Sequence, residues 1–107
     1  MSAYQLRFWF EHGGICIWGM NDKAKADYGY PIRNDMLPIS VGLINELNSL
    51  ENEYGTYLNW DSPSEPSLWT EEHKIDFLKR STTVCEKLKN ELGSDFQIEN
   101  KVNQCID

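Results

Sequence analysis

The side chains able to ligate a metal or act as a nucleophile are few: His12 and His73, and the thiols of Cys16, Cys85 and Cys105. Three cysteines spaced by 69 and 20 positions match neither the Cys-x-x-Cys spacing of a zinc knuckle nor the even count of a disulfide framework. On a hairpin that turns at Gly13-Gly14, His12 and Cys16 point to opposite faces, so they cannot share one ion. Histidine is the usual acid–base group near neutral pH. Here neither His stands beside a nucleophile motif, a phosphate-cradling glycine loop ahead of a helix, or a second His on one helical face. The sequence therefore predicts no catalytic residue, no cofactor and no metal, and an enzyme would have to use a site without a signature.

Carboxylates carry a stronger pattern. Between Arg33 and Lys74 stand Asp35, Glu46, Glu51, Glu53, Asp61, Glu65, Glu71 and Glu72, eight of the chain's 17 acids, with no Lys or Arg among them. Such a block concentrates negative potential, either as a docking surface for a basic protein or as a solvated helix face leading into a capped helix start. Trp60 and Trp69 flank the same stretch. Trp buries a large area at little rotamer cost and is enriched at binding hot spots, but an indole can equally fold back over the edge of a small core. The candidate partner-binding residues are therefore Glu46, Glu51, Glu53, Asp61, Glu65, Glu71 and Glu72 as an electrostatic face, Trp60 as the anchor, and Trp69 beside it.

The elements that must position these groups follow from periodicity. Positions 4–11 alternate, with Tyr4, Leu6, Phe8 and Phe10 on one side and Gln5, Arg7, Trp9 and Glu11 on the other, which predicts a strand. Gly13-Gly14 permits a two-residue turn into a second strand over positions 15–18, pairing Phe10 with Ile17 and Trp9 with Trp18. Positions 19–38 lose periodicity and read as a long loop with a short extended piece near 28–32. From Ser40, a predicted N-cap, Leu43, Leu47, Leu50, Tyr54 and Tyr57 recur at helical spacing. Pro63 and Pro66 break the chain. Thr70 then caps a second helix with Ile75, Leu78, Thr82, Cys85, Leu88 and Leu92 as its apolar stripe and Gly93 as its stop. Positions 96–102 alternate again as a third strand.

The order ββααβ predicts a single α+β domain over residues 1–107: a small, mainly antiparallel sheet made of the hairpin and the C-terminal strand, with two helices on the Phe8 and Phe10 face. The Trp9 and Trp18 face is left for solvent or a partner. Of 107 residues, 40% are hydrophobic and 12% aromatic, enough for one packed core and too aromatic for a disordered chain. Ten basic against 17 acidic residues give a net charge of −7, whose field repels phosphate backbones, so no direct nucleic-acid contact is expected. No apolar run is long enough for a membrane span, the first residues lack a signal-peptide pattern, and the cysteine usage fits a reducing cytoplasm.

The strings Leu6-Arg7-Phe8-Trp9-Phe10-Glu11-His12-Gly13-Gly14 and Leu37-Pro38-Ile39-Ser40, the pair Asn59-Trp60, and Pro66-Ser67-Leu68-Trp69 with Glu71-Glu72 resemble small bacterial immunity proteins. These accompany polymorphic toxins, including contact-dependent growth inhibition systems. In layout the resemblance covers nearly the whole chain. It implies a cytoplasmic, non-enzymatic protein that binds the C-terminal toxin domain of a delivered effector and blocks its active site or substrate channel. Nuclease toxins present basic clefts that an acidic inhibitor meets by complementary potential, so a nuclease is expected rather than a pore former. The alternative is an adaptor or oligomeric assembly subunit that uses the Trp9 and Trp18 face. The sequence leaves the oligomeric state open.

Overall fold

A computed structural model describes residues 3–11, 15–57 and 69–105. Strand β1 (Tyr4–Phe8) pairs antiparallel with β2 (Ile17–Gly19), a short helix α1 (Asp22–Asp27) follows, and β3 (Pro31–Ile32) adds to the far side of β2. A single 3-10 turn (Asn34–Met36) leads into helix α2 (Val41–Tyr54). Helix α3 (Glu71–Leu92) precedes β4 (Phe96–Asn100), and a last 3-10 turn covers Val102–Gln104. The sheet order is β3-β2-β1-β4.

The α+β class stands, but the sheet is mixed and the element order is not ββααβ. Strand β4 lies parallel to β1, pairing Tyr4 with Phe96 and Phe8 with Asn100. Tyr4 and Phe96 stack at 4.7 Å, and Tyr4 N–H donates to the Asp95 carbonyl at 2.9 Å. Alternation in sequence reports which face a side chain takes and not the direction of the neighbouring strand, so this pairing was not readable from the pattern.

The hairpin register also differs. Arg7 sits opposite Trp18 and Phe8 opposite Ile17, two residues away from the expected pairing. Trp9 N–H still donates across to the Cys16 carbonyl at 3.1 Å, and Phe10 then turns inward, its ring buried against Tyr54 (5.4 Å) and Phe77 (5.1 Å) and its N–H donating to Cys105 Sγ at 3.0 Å. A two-residue shift preserves the faces, so Leu6, Phe8 and Phe10 are still buried together. The expected turn residues His12, Gly13 and Gly14 lie outside the described residues.

Helix α1 falls where a long loop was expected. Asn21 caps it, accepting from Ala24 N–H at 3.1 Å, and its side-chain amide also donates to the Ala3 carbonyl at 3.0 Å. Ala24 is fully buried against β2 at Gly19, where a Cβ would come within 2.5 Å of the Gly29 carbonyl oxygen. The short extended piece expected near 28–32 is β3.

The longer helices follow their local chemistry. Ser40 Oγ accepts from Leu43 N–H at 3.2 Å and Thr70 Oγ1 from His73 N–H at 3.1 Å, each satisfying an amide that the helix start leaves open. Gly93, at φ 79, closes α3 in a backbone region that suits glycine. The α3 stripe is turned by one residue from the expectation in its first half: Phe77 and Ser81 are buried, Thr82 is exposed and Ile75 is 53% exposed. Phe77 decides this, because its ring packs on Phe10, Tyr54 and Trp69, a larger apolar gain than Ile75 or Leu78 offers from the neighbouring face.

Candidate functional site

Two acids of the block, Glu46 and Glu53, meet cations of α3 in space. Helix α2 lies along α3, and Glu46 takes the Lys87 ammonium at 2.9 Å while Glu53 is gripped by Arg80, whose Nη1 donates to Oε1 at 2.8 Å. His73 Nε2 stands 2.8 Å from Glu53 Oε2, and Glu91 of α3 accepts from both Ser40 N–H and Ser40 Oγ, at 2.6 and 2.9 Å. Stretches that are cation-free and cation-bearing in sequence thus clamp the two helices together. The Arg80 guanidinium, with help from His73, holds the Glu53 carboxyl below its ordinary value against the opposing pull of burial.

Trp69 is a core residue, only 7% exposed. Its indole stacks on His73 at 4.0 Å and meets Phe77 at 4.9 Å and Tyr57 at 5.3 Å, and its Nε1–H donates to Thr56 Oγ1 at 2.8 Å. Of its two sequence readings, the structure places it in the one that covers the core edge. His73, half-buried between Trp69 and Glu53, is part of the same packing.

Glu71 and Glu72 are exposed in the first turn of α3. Glu71 has only a long contact with Lys74, 3.4 Å, and Glu72 makes no ion pair among the described residues. Trp60, Asp61 and Glu65 lie outside the described residues, in the stretch that leads directly to this helix start. Glu51 is set apart from its neighbours. It is half-buried at a polar cleft and accepts from Cys16 N–H at 3.1 Å and Asn34 Nδ2 at 3.2 Å. Burial outweighs these neutral donors and raises its carboxyl above the ordinary value.

The thiols are held in the protonated form. Burial pushes Cys16 well above its usual value and Cys85 and Cys105 up to about 11, so none is a thiolate nucleophile at neutral pH. On the outer face of the sheet the Arg7 guanidinium lies over Trp9 at 5.3 Å and Tyr30 packs edge-on against Trp18 at 5.1 Å. Each indole is thereby partly covered from within the chain. Sequence reasoning did not reach two features: the α2–α3 clamp, although acids on one helix followed by cations on the next are its signal, and the Asn34 side chain, whose burial follows from a 3-10 turn that no periodicity marks.

What these groups offer chemically is recognition: carboxylates, side-chain amides and aromatic rings presented by a helix-on-sheet domain. A family model described as Serratia CdiI immunity protein-like matches residues 4–101, from the first residue of β1 to the residue after β4. The chain belongs to that family, the immunity proteins of contact-dependent growth inhibition. No curated protein matches it. Among the described residues no helix is long and apolar enough to cross a membrane.

Proposed function

We propose that this protein binds the C-terminal toxin domain of a contact-dependent growth inhibition effector and neutralises it in the cytoplasm without chemistry of its own. In this reading the toxin domain is basic, most simply a nuclease, and binding covers its active site or substrate cleft. The observation that carries the reading is the family match over residues 4–101. The net charge of −7 supports a basic partner, since complementary potentials raise the encounter rate.

The contact surface centres on the start of α3 and the stretch before it: Glu71, Glu72, Asp61 and Glu65 supply the field, and Trp60 the anchor. Glu46 and Glu53 sit back from this role because Lys87 and Arg80 neutralise them, and Trp69 supports the surface from the core. Glu51 contributes from its cleft.

The test is co-expression with the small C-terminal domain of the secreted effector encoded in the neighbouring reading frame. Protection of the host and recovery of a stable complex are expected; toxicity that persists in full, with no complex, contradicts the reading. Within such a complex, Trp60→Ala weakens binding by about 2 kcal/mol, mostly through faster dissociation. Unchanged dissociation, measured by surface plasmon resonance, removes Trp60 from the interface.

A further inference from the structure

Helix α2 presents three carboxylates that are only partly exposed, and two of them have a cation: Glu46 has Lys87 and Glu53 has Arg80. The third, Glu51, has none among the described residues. Its hydrogen-bond donors are the Cys16 backbone amide and the Asn34 side chain, both neutral. Withdrawing a carboxylate from water without a counter-charge costs stability, and the two hydrogen bonds that Glu51 accepts need an oxygen there but not a charge.

Glu51 also opens onto space. It lines a cleft of about 350 Å³ together with Asn34, Asn48, Ile15 and Ile44. Asn34 is 5% exposed and is fixed in place, donating through Nδ2 to Asn48 Oδ1 at 3.0 Å as well as to Glu51. Asn48 Oδ1 keeps a second lone pair for another donor. Arg33 and Asp35 also line the cleft, but they pair with each other at 2.8 Å and the Arg33 side chain is 74% exposed, so its charge is not directed at Glu51.

We propose that this cleft receives one Lys or Arg side chain of the toxin domain, with Glu51 taking its charge, the Asn48 carbonyl oxygen a further N–H, and Ile15 and Ile44 its alkyl stem. This rests on the functional reading above and adds to it a specific pocket. A cation entering there meets a carboxylate already partly desolvated and already held by two neutral hydrogen bonds. The pairing is therefore worth more than one between two exposed charges.

Glu51→Gln separates stability from binding. The amide keeps the shape and can still accept from Cys16 and Asn34, while the buried charge disappears, so the thermal midpoint at neutral pH stays level or rises. Affinity for the toxin domain encoded next to the chain falls at least about thirtyfold by calorimetry, the lower end of the range for losing one partner of a desolvated charge pair. Equal affinity of wild type and Glu51→Gln, or a marked loss of stability in the variant, overturns the proposal while leaving the functional reading in place. Failure of the wild-type chain to bind that domain overturns both. A second measurement needs no variant: saturating the wild-type protein with the toxin domain should shift the Asn34 and Asn48 side-chain amide and Cys16 backbone amide NMR signals, and signals that stay put count against the cleft.

Discussion

Phe77 is fully buried and touches the rings of Phe10, Tyr54 and Trp69, so Phe77→Ala removes the α3 side chain on which the segment after β1, the end of α2 and the residue before the α3 cap converge. A loss of about 3–5 kcal/mol is expected from urea unfolding, the usual range for emptying such a site. Glu53 makes a subtler prediction. Its carboxyl is held below the ordinary value of 4.5, chiefly by Arg80, so its contribution is present above that pH and lost as the pH falls through the depressed value. Glu53→Gln should therefore cost about 1 kcal/mol at neutral pH, a modest figure because Arg80 is 44% exposed. The gap between variant and wild type should close on acidification, as followed by urea midpoints across pH. Glu51 runs in the opposite sense: a raised carboxyl means that ionisation opposes folding, and the opposition grows as the pH rises through its value. At this scale the sequence could nominate the acids but could not separate them. Glu46, Glu51 and Glu53 look alike in a row, and only the helix packed alongside determines which is neutralised.

The two long helices were legible because their signals are local. Ser40 and Thr70 cap from within three residues, and an apolar stripe repeats over enough turns to stand out. Ser40→Ala should cost about 1 kcal/mol or somewhat more, since its Oγ serves both Leu43 N–H and Glu91, and a thermal midpoint lowered by several degrees would register it. Helix α1 was hidden for the converse reason: six residues give less than two turns, too few for a period. Its packing on β2 is testable at Gly19, because a methyl group there would meet the Gly29 carbonyl at 2.5 Å. Gly19→Ala should destabilise the fold by about 1–3 kcal/mol and loosen amide protection over Ala24 to Gly29; unchanged protection would mean that α1 does not pack on β2. The parallel placement of β4 depends on contacts between the two ends of the chain, such as Arg7 with Glu99 at 3.2 Å, and no window of sequence contains both partners.

Over the whole molecule the charge pattern divides into paired and outward acids. Acids of α2 pair with cations of α3 across the two helices, whereas Glu71 and Glu72 at the start of α3 face outward, on the surface we propose for the partner. Net charge was legible from composition, whereas its division was not, because screening by internal partners is a property of the packed structure. The steering that the proposed function requires is assigned to Glu71 and Glu72 together with Asp61 and Glu65 of the preceding sequence. The most direct measurement is the association rate with the toxin domain from the neighbouring reading frame, by stopped flow, for wild type and for the variant in which Asp61, Glu65, Glu71 and Glu72 are all replaced by Lys. At about 0.02 M salt the variant should associate at least about tenfold more slowly, and the two rates should converge near about 0.5 M. Equal rates at low salt would contradict the account.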